Sequence, residues 1–316
     1  AESIRVTNDN NLDQNVQVCT VNWNGKEHFI AGWYNQSISE KTDAVGNSMA
    51  IQDIRLLAVN AAGLPSSEFA ESVRVAGAEV NSSLFRFSKP EQNADLEDLS
   101  LVWLDIETDT KDNDNAESNE HKNTFTLYAM RFTQNNGKIL MSVPTEAARM
   151  TSGDTIDNFT CYGNRKNLHA VLQSSNYDID LEDPSTYTVE KVKSEDGEAE
   201  SKELTDVYIP VGKTALYTVT TNYILCGVQT EGPIVDQDKV FSGFSIPIDF
   251  VVKNSGIEKI TKLLVTIDGK STEVATELLP GESQTVTAFY EVPEDSILDV
   301  NYSITAESKN GICSPE

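Results

Sequence analysis

Apolar and polar residues alternate through much of this chain, in short stretches separated by turn-forming residues. The segment VQVCTVNW (16–23) alternates and is followed by Asn24-Gly25. Alternation with period two predicts a half-buried β-strand, and Asn-Gly is a strong hairpin signal because both residues tolerate positive φ. The following run, HFIAGW, is therefore predicted to be the return strand, and IQDIRLLAVN (51–60) a further strand.

One short pattern occurs three times at a nearly constant distance. The run HFIAGWYN (28–35) is similar to DLSLVWLD (98–105), which lies 70 positions later and aligns Trp33 with Trp103. A weaker third copy, NLHAVLQSSNYD (167–178), follows 69 positions further on and places Leu172 over Trp103. Self-similarity at a fixed period indicates a repeat architecture. Residues 1–229 are therefore predicted to hold three repeats of about 70 residues, each with about four strands.

The apolar runs inside the repeats do not alternate strictly, which is typical of strands buried on both faces. Repeated four-stranded antiparallel sheets with buried inner strands make up a β-propeller, and this region resembles bacterial extracellular β-propeller proteins. Closed propellers have about four to eight blades. Three copies leave three options open: a fourth blade in the poorly matched ends, a longer chain, or sheets that do not close. A tandem pair of β-sandwiches is the alternative architecture.

The composition changes after the repeats. Residues 230–240 combine Gly, Pro and charge without periodicity and are predicted to form a linker. Residues 241–316 hold short alternating runs separated by turns such as Asp268-Gly269 and Leu279-Pro280-Gly281-Glu282. About seven short strands at this spacing predict an immunoglobulin-like β-sandwich. The predicted fold class is thus all-β: propeller-like four-stranded repeats followed by a C-terminal sandwich.

Four motifs of the C-terminal region occur in an order that is similar to the CARDB-like family of bacterial adhesion-related domains. They are V-x-N-S-G at 252–256, L-x-V-x-I-D-G at 263–269, L-x-P-G-E-S-x-T-V at 278–286, and Val292-Pro293. The resemblance implies a secreted or cell-surface protein in which this domain is a spacer or an adhesion module. It implies no catalytic residue.

The chain is strongly acidic, with 50 Asp and Glu against 24 Lys and Arg and a formal net charge of −26. This balance argues against nucleic acid as a partner, because affinity for nucleic acid comes from basic residues that neutralise phosphates. It also argues against an anionic membrane surface. No apolar run of 18 residues occurs, so no membrane insertion is expected. A solvated exterior and cation binding, mainly calcium, both remain as explanations of the acidity.

The four cysteines, at 19, 161, 226 and 313, are far apart and lack the spacing of a zinc site. They permit disulfides in three connectivities, or buried free thiols.

The acidic loop 105–120 follows the second copy of the repeat and allows two interpretations. It is either a solvated loop or a calcium site. In the second case Asp109, Asp112 and Asp114 are the best ligands. No cofactor is otherwise required.

Loops at matching positions of successive repeats are expected to open on one face and to form a shared binding surface. The predicted ligand-binding residues are at the ends of the repeated strands: Tyr34, Asn35, Asp105, Tyr177 and Asp178. The tyrosines among them, like Tyr162, could stack on sugar rings or instead pack at the bases of loops.

No catalytic motif of the G-x-S-x-G or P-loop type is present. The sequence therefore favours a non-catalytic interaction or adhesion protein, extracellular or at the cell surface, that binds a glycan or a surface protein through its propeller loops. The alternative is the accessory or catalytic part of a polysaccharide-degrading enzyme within a longer multidomain chain. Paired carboxylates can hydrolyse glycosides, so the question of enzymatic activity stays open at this point.

Overall fold

The computed structural model describes residues 11–42, 48–59, 73–75, 84–88, 95–109, 122–136, 138–151, 154–177, 181–185, 187–193, 204–236, 240–294 and 301–315. Within these ranges the regular elements are β-strands, apart from one short 3-10 turn at Leu96–Asp98. The prediction of an all-β protein is therefore confirmed.

Among the described residues, three sheets of three or more strands precede residue 223. The first sheet has the order β1-β2-β3-β4 and consists of β1 (Leu12–Trp23), β2 (Lys26–Thr42), β3 (Ser48–Val59) and β4 (Val73–Arg74). The second sheet consists of β5 (Phe85–Ser88), β6 (Ser100–Asp109), β7 (Lys122–Asn135), β8 (Lys138–Met141) and β9 (Thr145–Met150), with β8 and β9 both paired to β7. The third sheet has the order β10-β11-β14 and consists of β10 (Asn158–Gly163), β11 (Asn167–Asn176) and β14 (Lys213–Asn222). Between β11 and β14 the chain forms a separate hairpin of β12 (Tyr187–Lys193) and β13 (Leu204–Pro210).

Two further sheets complete the chain. The fourth sheet has the order β19-β16-β15-β22 and consists of β15 (Gly227–Ile234), β16 (Ser245–Asn254), β19 (Ser283–Glu291) and β22 (Ser314–Pro315). The fifth sheet has the order β18-β17-β20-β21 and consists of β17 (Ile260–Ile267), β18 (Lys270–Leu278), β20 (Tyr302–Ser308) and β21 (Gly311–Ile312).

The first three sheets are stacked on one another through two hydrophobic cores. Tyr34 of the first sheet and Trp103 of the second lie in one core. Leu104 of the second sheet and Leu172 of the third lie in the other. The second sheet is thus covered on both faces, and β6 is buried at every position from 100 to 104. This explains why its apolar run is continuous, because neither face of the strand meets water.

The repeat seen in the sequence has the same register in all three sheets. The middle strands β2, β6 and β11 pair with the strand before them at equivalent positions. The pairs are Gly32 with Gln17, Val102 with Arg86, and Val171 with Thr160.

Two equivalent hydrogen bonds tie the first strands of neighbouring sheets together. Gln17 Nε2 donates to the Phe85 carbonyl at 2.5 Å, and Arg86 Nε donates to the Phe159 carbonyl at 2.8 Å. Phe85 and Phe159 are themselves equivalent, because they lie opposite the aligned residues Trp103 and Leu172. The same side-chain to backbone bond is therefore made twice along the stack.

The two aligned tryptophans face the same way relative to their own sheets. Trp103 lies in the core between the first and second sheets. Trp33 is next to Tyr34, which faces the second sheet, so alternation along β2 directs Trp33 to the opposite face, where it is 4% exposed. The predicted wedging between sheets thus holds for Trp103 among the described sheets, whereas Trp33 faces away from the second sheet.

The stack ends at the third sheet, whose outer face is largely polar. Along β11, buried Leu168, Ala170 and Leu172 alternate with exposed residues such as His169 and Gln173. A terminal repeat with a polar outer face stops a stack, because a further sheet would find little apolar surface there. Within the described part of the chain the three sheets form an open series and not a closed propeller.

The fourth and fifth sheets share a third core, in which Phe250 of β16 meets Leu263 and Val265 of β17. Buried positions alternate regularly along β16, as the sequence predicted. The predicted turn at Asp268-Gly269 joins β17 to β18, with φ of 44° and 78°. Strand β15 runs through residues 227–234 and so includes the beginning of the stretch predicted as a linker.

The cysteines fall into two groups. Cys226 and Cys313 form a disulfide that closes a sequence separation of 87 residues at the C-terminal core. Cys19 is buried and Cys161 half-buried, and neither forms a disulfide. Burial raises the pKa of the Cys161 thiol to about 11, so this thiol is protonated at neutral pH.

Among the described residues, no helix is long and apolar enough to cross a membrane.

Candidate ligand-binding surface

The middle strands of the three stacked sheets run in the same direction, so the stack has two distinct ends. The middle strands β2, β6 and β11 end at Thr42, Asp109 and Asn176, and their following connections leave from one end, here called the loop end. The other end, here called the hairpin end, carries the Asn24-Gly25 turn, with φ of 50° and 72°. The sequence predicts that the connections at the loop end form a shared binding surface, but residues 43–47, 110–121 and 178–180 lie outside the described residues.

Contacts between neighbouring sheets confirm that they point the same way. At the hairpin end, Asn22 forms a β-bridge with Asp95, and Arg165 Nε donates to Asp98 Oδ1 at 2.8 Å. Near the loop end, Tyr34 lies close enough to Asp105 for the carboxylate to raise its pKa.

The C-terminal sheets are attached on the side of the hairpin end. Asn135 Nδ2, at the end of β7, donates to the Pro280 carbonyl at 3.0 Å. The Ile224 amide donates to Thr145 Oγ1 at 2.7 Å, just before the fourth sheet begins. Among the described residues, these contacts lie towards the end of the stack opposite to that at which β2, β6 and β11 end.

Two of the predicted ligand-binding residues are buried. Tyr34 is 1% exposed and packs edge-to-face on Phe85 with ring centroids 5.0 Å apart. Burial raises the pKa of its hydroxyl, and the Asp105 carboxylate raises it further. Asn35 is 2% exposed, donates to Asp13 Oδ1 at 3.1 Å and accepts from Asn11 Nδ2 at 3.0 Å. Both side chains are thus buried in this structure, and their contact with a ligand stays a prediction.

The other predicted residues have different surroundings. Asp105 is half-buried at the loop end, near Tyr34 and Tyr128. Tyr177 follows β11 directly, is 51% exposed, and has its ring against Gly212, where an added Cβ would lie 2.5 Å from the ring. Asp178 lies outside the described residues.

The proposed calcium ligands fall largely outside the described part of the chain. Asp109 ends β6, with its backbone opposite Lys122, while Asp112 and Asp114 lie outside the described residues. Within the described ranges, no group of three or more His, Cys, Asp or Glu side chains is arranged to hold a metal ion.

A group of polar residues, of which the sequence indicated only Asp105, lies towards the loop end of the second sheet. This rim cluster is defined as Asp105, Glu107, Tyr128, Glu146 and Arg149. Asp105 lies opposite Thr126, which in turn lies opposite Arg149, so the three form a row across β6, β7 and β9. The other four residues were missed because all members of the cluster lie on strands, whereas the sequence analysis searched the loops.

Charge interactions organise the rim cluster. Arg149 Nη2 donates to Glu146 Oε2 at 2.8 Å, and this hydrogen bond lowers the pKa of Glu146 and raises that of Arg149. Burial raises the pKa of Tyr128, and the surrounding carboxylates add to the increase. Glu146 and Arg149 are both nearly half exposed, so they can exchange this mutual contact for contacts with a polar ligand.

A second polar group lies at the loop end of the third sheet. Thr155 Oγ1 and Ser175 Oγ both donate to Asp157, and Asn176 Nδ2 donates to Asp154 Oδ1 at 2.7 Å. These carboxylates are held by neighbouring side chains of the same sheet. The described loop end therefore presents oriented hydrogen-bonding groups beside the exposed ring of Tyr177.

The described histidines lie elsewhere. His28 is buried, with Nδ1 3.1 Å from the Lys26 carbonyl near the hairpin end. His169 lies on the outer face of the third sheet, with Nδ1 3.0 Å from Thr220 Oγ1. Neither is placed to act as a base for a nucleophile at the loop end.

No protein-family model, curated protein or solved structure matches this chain. The loop end and the C-terminal sheets are therefore the basis for assigning a function.

Proposed function

We propose that this chain is a secreted or cell-surface interaction protein that binds a glycan or a surface protein with the loop end of its three stacked sheets. In this proposal the sheets form an open, propeller-like series, and the C-terminal pair is a CARDB-type, immunoglobulin-like spacer or adhesion module. The observation that carries the proposal is that β2, β6 and β11 run in the same direction in neighbouring sheets, so that all three strands end on one side of the stack.

The side chains at that end support binding of a polar ligand. An exposed tyrosine offers a flat apolar ring with a polar tip, and Tyr177 is held in place by its contact with Gly212. The rim cluster adds carboxylates and one arginine, which accept and donate hydrogen bonds. A few oriented polar groups beside an apolar platform are the usual composition of a specific ligand site.

The disulfide and the surface charge support the proposed location. Disulfides persist mainly in oxidising, extracytoplasmic environments, and Cys226–Cys313 closes the C-terminal core. A net charge of −26 keeps an exposed protein soluble and repels anionic surfaces.

The placement of the C-terminal sheets supports a spacer role. They join the stack beside the hairpin end, through contacts such as Asn135 with the Pro280 carbonyl. A spacer in this position would hold the loop end away from an attachment point.

The proposal is tested by probing the full chain on a glycan array, followed by titration with the sugar that binds best. Tyr177→Ala should weaken binding at least about tenfold, as truncation of a central aromatic contact does. The matched control is Tyr162→Ala, because Tyr162 is equally exposed, at 50% against 51%, but lies towards the hairpin end of the third sheet. It should bind like the wild type.

Two outcomes would overturn the proposal. One is sugar binding that Tyr162→Ala abolishes and Tyr177→Ala leaves intact, which would move the site off the loop end. The other is a failure to bind both the array and a panel of extracellular proteins. Incubation of the same polysaccharides with the protein, followed by measurement of new reducing ends, tests the alternative of a polysaccharide-degrading enzyme.

A further inference from the structure

Strand β19 forms an edge of the fourth sheet and, like the edge strands β10 and β14 of the third sheet, has at most one charged residue and no proline. Its first eight residues, SQTVTAFY, contain no charged side chain and no proline, in a chain with 74 charged residues, 24 basic and 50 acidic. Natural sheets usually protect a long edge with charges, proline or a very short strand. The edge of the fifth sheet, β18, follows that rule, since it carries Lys270, Glu273 and Glu277.

The backbone of β19 has one hydrogen-bonding side that points away from its sheet. Bonded and non-bonded pairs alternate along an antiparallel ladder. The Val292 amide donates to the Phe244 carbonyl at one end of the β16–β19 pair, and the Asn254 amide donates to the Glu282 carbonyl at the other, both at 2.9 Å. Even-numbered residues of β19 are thus bonded to β16.

The odd-numbered residues Thr285, Thr287 and Phe289 therefore direct their N–H and C=O groups outward. No described strand pairs with this side of β19. A groove of about 360 Å³ lies beside it, between β18 and β19, and is lined by side chains that include Val265, Thr272 and Tyr290. The ring of Phe289 borders this groove and is 71% exposed. The edge thus offers both backbone groups and apolar surface to an added strand.

We propose that β19 pairs antiparallel with β19 of a second copy of this chain, joining the two fourth sheets into one continuous sheet across a two-fold axis at Thr287. The strand is complementary to itself in this register. Thr287 lies opposite Thr287 of the other copy, Thr285 opposite Phe289, and Ser283 opposite Glu291. Thr–Thr and aromatic–β-branched pairs are favourable cross-strand neighbours, and no like charges face each other.

Salt dependence distinguishes this occupant from a foreign basic strand. Two copies of a chain with net charge −26 repel each other at long range, and added salt screens that repulsion. Self-pairing at an uncharged edge is therefore strengthened by salt, whereas capture of a basic partner by this acidic surface is weakened by it.

The test is sedimentation velocity on the full chain over a wide range of concentrations, at low and at high salt. We expect a monomer–dimer equilibrium that shifts towards dimer as salt increases. Thr287→Pro should raise the dimer Kd at least about tenfold, because proline removes an outward N–H while leaving the bonds to β16 in place. Thr287→Val is the matched control, since it loses the hydroxyl that donates to Asp249 Oδ1 but keeps the N–H. It should dimerise like the wild type.

A charge pair tests the two-fold register without relying on proline. Thr287→Lys and Thr287→Glu each place like charges directly opposite on the axis, so each should be monomeric alone, and their equimolar mixture should recover the dimer. Circular dichroism melting confirms that each variant is folded. The proposal is overturned if the wild type is monomeric at every concentration and salt, or if the Lys and Glu variants dimerise alone as well as they do together.

Discussion

The three-sheet stack and the C-terminal pair of sheets bury their apolar residues in different ways. The second sheet of the stack is covered on both faces, so β6 is buried continuously from Ser100 to Leu104. Strands of the C-terminal pair are covered on one face, and β16 alternates along its length. The stack is held together between sheets by repeated bonds such as Arg86 to the Phe159 carbonyl, while the C-terminal core is closed by a disulfide. This chain therefore contains both stacked and paired sheets. A strand in the middle of the stack has a continuous apolar run, whereas a strand of the sheet pair alternates between apolar and polar residues.

The largest expected effects come from the two cores, and they test whether the regions unfold separately. Trp103→Ala should cost about 3–5 kcal/mol in the stack, and Phe250→Ala about as much in the C-terminal core. All three tryptophans, at 23, 33 and 103, belong to the stack, so tryptophan fluorescence reports only that region. Denaturation followed by fluorescence should shift for Trp103→Ala and stay unchanged for Phe250→Ala. Equal shifts would mean that the two regions unfold as one unit.

Loss of the disulfide should destabilise the C-terminal pair alone. Replacing Cys226 and Cys313 by serine should cost about 2–5 kcal/mol, as for native disulfides in small extracellular domains. Denaturant unfolding is followed by far-UV circular dichroism, which reports both regions, and by tryptophan fluorescence, which reports only the stack. The circular dichroism transition should shift and the fluorescence transition should not. Cys161→Ser is the control, because this thiol is free. A wild-type protein whose stability does not respond to reductant would contradict the prediction.

A pair of repeat-equivalent valines distinguishes the middle of the stack from its end. Val102 is fully buried, whereas Val171, at the same register position in the third sheet, is 38% exposed. Val102→Thr should cost about 1–3 kcal/mol because it buries a hydroxyl. Val171→Thr should change stability by less than about 0.5 kcal/mol. Denaturant midpoints by fluorescence measure both, and a large cost at 171 would show that the outer face of the third sheet is covered.

The repeated hydrogen bond between sheets offers a smaller test. Arg86→Ala should cost about 1 kcal/mol, since it removes a bond to the Phe159 carbonyl from a half-exposed side chain. Thr160→Ala, at the equivalent and exposed position of the third sheet, should be neutral to within about 0.5 kcal/mol. The same denaturant titration compares the two, and equal costs would argue against a role for Arg86 in joining the sheets.

The smallest effect concerns pH. The hydrogen bond from Arg149 lowers the pKa of Glu146 in the folded state. A lowered folded pKa stabilises the protein above the pKa of the unfolded chain, and this contribution is lost as pH falls through the folded value. The stability difference between wild type and Glu146→Gln should thus be larger at neutral pH than in acid, and smaller at high salt because the pair is exposed. A difference that grows in acid would contradict the assigned pKa direction.

Local features could be predicted well. The turns at Asn24-Gly25 and Asp268-Gly269 have the positive φ values expected from their residue types. The aligned residues Trp33, Trp103 and Leu172 each lie on an interior strand of their own sheet. The third copy also carried a signal of the end of the stack: His169, Val171 and Gln173 alternate with buried residues, unlike the continuous apolar run of β6.

The candidate site was harder to predict, for physical reasons. Tyr34 and Asn35 were chosen because they follow an apolar run, but both sides of β2 are covered, so both residues are buried. The rim cluster joins Asp105 to Glu146 and Arg149 across three strands, a contact set by sheet pairing and not by sequence distance. Four cysteines allow three disulfide connectivities, and the sequence does not distinguish them. The pair Cys226–Cys313 became evident only from the fold, which brings these two residues together.

The all-β class, the turns and the net acidic charge could be read from the sequence alone, because they follow from periodicity, turn chemistry and residue counts. Only the tertiary structure decided which face of each strand is covered, where the stack ends, which cysteines pair and which polar side chains meet at the loop end. Those outcomes depend on contacts between residues far apart in the chain, and the energy of such contacts is fixed only when whole sheets pack on one another.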